Sequence, residues 1–202
     1  MRRLLYLLGG LLLSACAALP PSTPAPSADG LQARLAALDA WRLEGRLAVR
    51  HGRDGGQGLL YWQQQADGRY TLRLLDALGR QQLLIRGGAG EVSLQTRDGR
   101  QLQADSAEAL MQQVLGWSVP LRPLRWWVRG LPAPEALAGP VRRSVPGSDG
   151  APLAELDQGG WRIRYLRHAR VDGLPLPALL SLQHDDALRL KLVIETWELP
   201  TS

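Results

Sequence analysis

The 202-residue sequence contains one cysteine, three histidines and no phenylalanine. Because Cys16 is the only cysteine, no internal disulfide is expected, and the fold must be stabilised by burial of apolar surface. The histidines His51, His168 and His184 show no metal-ligand spacing, so we interpret each as a surface histidine. We therefore predict neither a metal site nor a cofactor, and the seven tryptophans carry most of the large aromatic volume.

Motifs of common catalytic sites are also missing. Residues 116–120 (GWSVP) lack the final glycine of a serine-nucleophile elbow, and the glycine-rich stretch 87–90 lacks the Lys-Ser/Thr of a phosphate loop. The neighbouring carboxylates Asp185 and Asp186 favour a hairpin turn over an acid-base pair. These patterns favour a protein that is not an enzyme.

The basic residues do not form a nucleic-acid binding pattern. The formal net charge is +5, but the 24 basic residues include only one lysine, Lys191, and the arginines are scattered. A nucleic-acid binding surface would show a basic stripe interleaved with stacking aromatics. We predict no nucleic-acid partner and a solvated surface that also tolerates an anionic membrane.

The N-terminal segment has the layout of a secretory signal. Arg2 and Arg3 precede an apolar run over residues 4–13, and the small residues Ser14 and Ala15 follow it. A spanning helix needs about 20 apolar residues, and this run is shorter and is interrupted by glycines. We predict that residues 1–15 are a signal peptide that is removed.

The cysteine stands where the signal would be cut. Residues 13–16 (LSAC) resemble the lipobox of bacterial lipoproteins, which implies that the Cys16 thiol carries diacylglycerol and becomes the new N-terminus. A plain signal with an incidental cysteine, or a buried thiol, is the alternative. Residues 16–28 then form a lipidated N-terminus and a Pro/Ser-rich tether, and 29–202 form a single domain. Because Ala17 rather than Asp follows, the resemblance implies the outer membrane, facing the periplasm.

The sequence predicts a mainly β domain. A first helix begins near Asp29, and two short apolar helices occur between residues 105 and 130, the first capped by Asp105 and ended by Gly116. Period-two alternation and turn signals predict eleven antiparallel strands. Their ranges are 41–50, 58–65, 69–75, 81–86, 91–97, 100–104, 141–145, 152–157, 161–167, 176–184 and 188–199. A sheet this wide should curl towards a barrel.

The inner strand faces are rich in leucine, valine and tryptophan. Only short helices remain to plug the barrel, which favours an apolar cavity, whereas small barrels are often filled by side chains. The sequence leaves both interpretations open. The candidate cavity residues on these faces and in the helical region are Leu43, Leu47, Val49, Trp62, Leu72, Leu74, Leu94, Trp117, Trp126, Ile163, Leu190 and Leu192.

One turn has an unusual tip. The segment 74–80 (LLDALGR) carries Leu78 where Asn, Asp, Gly or Ser is favoured. A single exposed leucine usually has no function. On a protein tethered to a bilayer, however, such a leucine can enter the interface, where full burial is worth about 1.5–3 kcal/mol. Membrane insertion and burial in the core are both compatible with the sequence.

Several segments, in their order along the chain, resemble the LolB family of outer-membrane lipoproteins. These segments are 41–49 (WRLEGRLAV), 60–64, 70–74, 77–79, 105–110, 116–117, Pro120, 124–132 (LRWWVRGLP), 160–165 and 192–197, with the lipobox in front. No single segment is decisive. Ala77 stands where a proline is common before Leu-Gly, a departure that would loosen the loop and leave Leu78 in place.

The resemblance implies an incomplete, unclosed antiparallel β-barrel with a short helical lid over an apolar cavity. It also implies transfer without bond chemistry: a LolA-like periplasmic carrier hands acylated lipoproteins to this cavity, and the protein, acting as a monomer, inserts them into the outer membrane and contacts its lipids. The loop of Ala77, Leu78 and Gly79 would aid the insertion step. The alternative is a lipid-anchored scaffold whose packed barrel binds a protein partner.

Overall fold

Eleven antiparallel strands form one sheet in the computed structural model, which describes residues 28–88, 90–148 and 150–200. The predicted signal peptide, Cys16 and nearly all of the tether lie outside the described residues. The strands are β1 (Trp41–His51), β2 (Asp54–Gln64), β3 (Tyr70–Leu75), β4 (Gln81–Gly87), β5 (Val92–Thr96), β6 (Gln101–Ala104), β7 (Val141–Val145), β8 (Glu155–Gln158), β9 (Trp161–Val171), β10 (Leu174–His184) and β11 (Leu188–Glu198).

Four helices accompany the sheet in the described part of the chain. Helix α1 (Ala28–Ala36) precedes it, and α2 (Ala107–Leu115), α3 (Leu121–Trp127) and α4 (Glu135–Ala138) connect β6 to β7. The sequence predicted the first three of these helices. It did not predict the four-residue α4, which is too short to show a helical period.

The strand order explains why the sheet stays open. It runs β6-β5-β4-β3-β2-β1-β11-β10-β9-β8-β7, so β1 pairs with both β2 and β11 and joins two meanders at the centre. Strands β6 and β7 are the two edges and do not pair with each other. The predicted fold class, a mainly β protein with an unclosed antiparallel sheet of eleven strands, is confirmed.

Strand β1 shows how the alternation of side chains builds the interior. Trp41 and Leu43 are buried, whereas Arg42 and Glu44 on the other face are exposed. The register with β11 shifts between Glu44 and Gly45, and a Cβ on Gly45 would collide with the carbonyl oxygen of Val193. Only glycine fits this bulge, which lets the long central strands bend around the core.

Two predicted boundaries differ from the structure for identifiable reasons. Strand β2 begins at Asp54 rather than at residue 58, because the glycines at 55, 56 and 58 pair with β1 but give no side-chain pattern. Helix α2 is capped by Ser106, not Asp105: its hydroxyl accepts a hydrogen bond from the backbone N–H of Ala109. Gly116 ends this helix with φ +75°, as predicted.

Glu108 connects the two helices that follow the first meander. Its side-chain Oε1 accepts a hydrogen bond of 2.8 Å from the backbone N–H of Leu121. Leu121 is the first residue of α3, so a side chain of α2 caps the next helix. This bond fixes the relative position of the two helices.

Arg129 fastens helix α1 to the segment after α3. Its side chain is 2% exposed, and Nη1 donates hydrogen bonds to the carbonyl oxygens of Leu35, Ala36 and Leu38 at the C-terminal end of α1. The guanidinium also stacks on the ring of Trp126, 4.6 Å from its centroid. Burial lowers the pKa of Arg129 to about 10, so the group remains charged at neutral pH.

We expect Arg129→Met to lower the free energy of unfolding by about 2–4 kcal/mol, because carbonyl oxygens of α1 lose a charged donor that water cannot replace. Urea denaturation followed by tryptophan fluorescence measures this loss. Arg122→Met, on the exposed side of α3, is the matched control and should change stability by less than about 0.5 kcal/mol. Equal stabilities of the two variants would contradict a structural role for Arg129.

Candidate functional site

A cavity of about 770 Å³ lies between the inner face of the sheet and helices α2 and α3. Strands β1 to β4 and β11 form one wall, and Met111, Val114, Leu121 and Leu124 form the helical wall. The cavity falls within the size range of ligand sites, roughly 300–1,000 Å³, and apolar side chains dominate its lining. The resemblance implied a helical lid, but the predicted cavity residues did not include these four residues of α2 and α3.

Eight of the twelve predicted cavity residues line this space. Leu47, Val49, Trp62, Leu72 and Leu74 contribute from β1, β2 and β3. Leu190 and Leu192 contribute from β11, and Trp117 contributes from the segment between α2 and α3. The open space thus lies against the central strands of the sheet.

The other four predicted residues do not line the cavity. Leu43, Leu94 and Ile163 are almost fully buried in the closed core, because the helical layer fills the interior beside them; α2, for example, packs against β5. Trp126 is half-buried and stacks against Arg125 and Arg129 instead. These four residues lie on the same strand faces or in the same helical segment as the cavity-lining residues. They lie, however, where side chains fill the interior of the barrel.

The mouth of the cavity is polar, a feature that the sequence prediction missed. His51, Asp54 and Gln57 border it from the β1–β2 hairpin, and Arg97 and Asp98 border it from the β5–β6 turn. All of them lie at strand ends, far apart in the sequence, so no local motif marks them. An apolar interior with a charged rim suits an amphipathic ligand.

The β3–β4 loop holds Leu78 on an ordered tip. Asp76 Oδ1 accepts hydrogen bonds from the backbone N–H groups of Leu78 (2.9 Å) and Arg80 (3.0 Å), and Oδ2 pairs with Nε of Arg80 at 2.7 Å. Gly79 turns the chain with φ +76°. Leu78 itself is 76% exposed, so of the two interpretations of this leucine the structure excludes burial in the core.

The Asp76 carboxylate keeps its charge through these bonds. The backbone N–H of Arg80 is the largest cause of a pKa below the ordinary value of 3.8, and the Arg80 side chain acts in the same direction. A carboxylate with a lowered native pKa stabilises the folded loop above its ordinary pKa, and this contribution is lost as the pH falls through the lowered value. The loop should therefore keep its hydrogen bonds at neutral pH and lose them only below about pH 4.

We expect Asp76→Ala to raise the amide exchange rates of Leu78 and Arg80 about tenfold, because both amides lose the carboxylate oxygen that accepts their hydrogen bonds. Hydrogen exchange by NMR measures this effect. Asp67→Ala removes the equivalent aspartate from the β2–β3 turn, where it pairs with Arg69, and should leave the two amides unchanged. Unaltered exchange in Asp76→Ala would show that the loop is held by other contacts.

The Leu78 loop and the cavity mouth lie at the same end of the barrel. In an antiparallel meander, alternate hairpins lie at the same end of the sheet. The β1–β2, β3–β4 and β5–β6 turns therefore share one end, and the first and third of them border the mouth. The exposed leucine thus projects from the middle turn of the three.

The histidines occupy separate places in the fold. His184 pairs with Asp185 at 3.1 Å in the β10–β11 turn, which confirms the prediction of a hairpin at Asp185 and Asp186. His168 is half-buried within β9, and burial lowers its pKa, so it is not the surface histidine that was predicted. Over residues 28–88, 90–148 and 150–200, no three metal-ligating side chains come together.

Comparison with known proteins settles the family. The sequence model described as "Outer membrane lipoprotein LolB" matches residues 39–197, which is most of the chain. The chain belongs to the LolB family. The prediction of an outer-membrane lipoprotein that takes part in lipoprotein sorting is thereby confirmed.

Relatives and a solved structure agree with this assignment. The chain is 42% identical to the outer-membrane lipoprotein LolB of Pseudomonas paraeruginosa over 165 residues, covering 82% of this chain and 77% of the relative. It is 37% identical to LolB of Stutzerimonas stutzeri over 194 residues, covering 93% and 91%. The crystal structure of a LolA superfamily protein from Nitrosomonas europaea superimposes with a TM-score of 0.52 at 7% identity, over 87% of this chain and 94% of that one. The last similarity is one of fold.

None of the described helices in this LolB family member is long and apolar enough to cross a bilayer.

Proposed function

We propose that this LolB family member accepts acylated lipoproteins from a LolA-like periplasmic carrier into its cavity and inserts them into the outer membrane. One observation carries the proposal: an apolar cavity and a hydrophobic loop tip lie at the same end of one domain. A cargo chain leaving the cavity mouth would emerge beside Leu78. The protein would act as a monomer that contacts carrier, cargo and outer-membrane lipids in turn.

The driving force would be differential burial of acyl chains. Each methylene group that leaves water gains about 0.8 kcal/mol, so an acyl chain moves only between apolar environments. Carrier, receptor cavity and bilayer are three such environments, and the chain moves towards the one that buries it best. No bond is made or broken, and no nucleotide is needed for this step.

The cavity also bears on the alternative, a scaffold with a packed barrel. Burial of apolar side chains normally proceeds until few voids larger than a water molecule remain. An apolar space of about 770 Å³ in a folded domain therefore supports a ligand-binding role over a purely structural one.

The lipid anchor and the cavity should act separately, since the predicted tether of residues 16–28 joins them. We expect a Cys16→Ala form, exported with a cleavable signal, to accept acylated lipoproteins from the carrier at close to the wild-type rate. Transfer of labelled cargo between purified proteins measures acceptance. The control is the same cargo without its acyl chains, which should not transfer.

Two results would count against this scheme. Complete loss of acceptance in Cys16→Ala would show that the anchor takes part in the transfer itself. Equal transfer of acylated and unacylated cargo would remove the role of the cavity and favour the scaffold.

A further inference from the structure

The Leu78 loop is flanked by two hairpins that each carry an arginine. Arg53 lies in the β1–β2 turn and Arg97 in the β5–β6 turn, and the sheet order places the β3–β4 turn between them. Neighbouring strands are about 4.8 Å apart, so successive turns are separated by about 10 Å along the sheet. The three turns thus place Leu78 between two cationic side chains at one end of the barrel.

The arginines near Leu78 fall into two groups, those with a carboxylate partner and those without one. Arg80 is paired with Asp76 and Arg100 with Asp98, so each of these charges is already balanced. Arg53 and Arg97 are exposed, and neither side chain has an ion pair or a hydrogen bond to any of the described residues. Their guanidinium groups are free to meet an external anion.

Three turns at the opposite end of the barrel do not repeat this arrangement. At the opposite end, the described residues of the β2–β3, β4–β5 and β9–β10 turns include Asp67, Glu91 and Asp172, and their only arginine, Arg69, is paired with Asp67. None of these turns carries a large exposed apolar residue among its described positions. Among the described residues of the turns compared, an apolar tip between unpaired arginines occurs only at the mouth end.

The mouth end itself is asymmetric in charge. Next to the β1–β2 turn comes the β10–β11 turn, which carries Asp185 and Asp186. The β1–β2 and β5–β6 turns beside Leu78 carry Arg53 and Arg97, whereas the β10–β11 turn carries no arginine. Asp54 lies beside Arg53 and borders the mouth, and the exposed Arg50 and Arg189 lie near the same ends of β1 and β11. Among the turns, a negatively charged surface would attract those beside Leu78 and repel the one with Asp185.

We propose that Arg53 and Arg97 bind the phosphate groups of anionic phospholipids on either side of Leu78, so that the end of the barrel docks on an anionic bilayer. This inference rests on the proposed function, in which Leu78 enters the membrane. The planar guanidinium group suits bidentate contact with phosphate, and an inserted leucine brings both arginines to headgroup depth. Each arginine near an anionic surface strengthens binding about fivefold, so the pair should contribute about 25-fold.

The test uses the mature chain with Cys16→Ala, exported with a cleavable signal, so that neither the signal nor the anchor masks binding through the loop. Co-flotation is measured with phosphatidylcholine vesicles and with vesicles that also contain phosphatidylglycerol, at low and at high salt. We expect the parent protein to bind anionic vesicles more strongly than neutral ones. The Arg53→Gln/Arg97→Gln variant should bind anionic vesicles about 25-fold more weakly than the parent and bind neutral vesicles equally well. High salt should abolish the gain in the parent protein.

A matched control removes the same charge elsewhere. Arg86 and Arg170 are exposed arginines without ion pairs to described residues. They lie near the ends of β4 and β9 that point away from the cavity mouth. Arg86→Gln/Arg170→Gln should keep the full response to anionic lipid. An equal loss in both double variants would reduce the effect to net charge and overturn the proposal.

Further outcomes separate this inference from the function on which it rests. If the parent protein ignores anionic lipid while Leu78→Glu still abolishes delivery, the arginine contact is wrong and the receptor function stands. If the arginine variant instead slows acceptance of cargo from the carrier while its response to anionic lipid stays unchanged, the arginines serve the cavity mouth or a protein surface rather than lipid, and the proposal fails. If neither Leu78→Glu nor the arginine variant alters delivery, both the insertion step and the docking scheme fail.

Discussion

Leu78→Glu is expected to yield a protein that folds and accepts cargo normally but delivers it to liposomes one to two orders of magnitude more slowly. The leucine is 76% exposed, so its replacement removes no core contact and should alter the free energy of unfolding by less than about 0.5 kcal/mol. At the bilayer, the change removes a burial contribution of about 1.5–3 kcal/mol and sets a charge against the interface. A loss of that size in the limiting step gives the expected slowing.

The control for this experiment is Leu166→Glu, which changes another exposed leucine on the outer face of β9. It should deliver cargo at the parental rate. Delivery is measured as transfer of labelled lipoprotein from the loaded receptor to liposomes, and folding by thermal denaturation. A Leu78→Glu protein that delivers at the parental rate would make the exposed leucine incidental, and equal slowing in both variants would point to charge alone.

Val49→Trp is expected to reduce acceptance of acylated cargo at least tenfold while the domain stays folded. Val49 lines the cavity and is only half-buried, and its cross-strand partner in β2 is Gly56, which has no side chain. The larger side chain should therefore extend into open space rather than into packed core, and it would occupy volume that an acyl chain needs.

Ala48→Trp is the matched control, since this neighbouring residue lies on the exposed face of the same strand. It should accept cargo at the parental rate. Binding of an acylated peptide, followed by tryptophan fluorescence quenching and by direct transfer from the carrier, measures both variants. Full acceptance by a folded Val49→Trp protein would place the acyl chains outside this cavity.

The strands and the open sheet could be predicted from sequence because burial on one face leaves a period of two. In β1, the alternation from Trp41 to Val49 is visible in the sequence and is present in the structure. A short loop between two predicted strands then indicates that the strands pair as a hairpin, as β10 and β11 do across the turn at Asp185 and Asp186. Where glycines replace patterned side chains, as at the start of β2, the same signal fails.

The limits of the cavity could not be predicted in this way. Leu43 and Leu47 share one face of β1, yet Leu43 lies in closed core and Leu47 borders the cavity. What separates them is the position of the helical layer, and that position depends on contacts between distant segments. Arg129 illustrates the point: the sequence shows an arginine after two tryptophans, and only the fold reveals that it holds the end of α1.

The two unpaired edges of the sheet have a mechanical consequence. Strands β6 and β7 are linked only through α2, α3 and α4, so the seam between them is held by side-chain packing and by no ladder of interstrand hydrogen bonds. A closed barrel has a fixed circumference, set by strand number and stagger. An unclosed sheet has no such constraint, so a change in its girth would disturb side-chain packing at the seam and leave every strand pair intact. Under the proposed function, acyl chains of different bulk would therefore be accommodated at the seam.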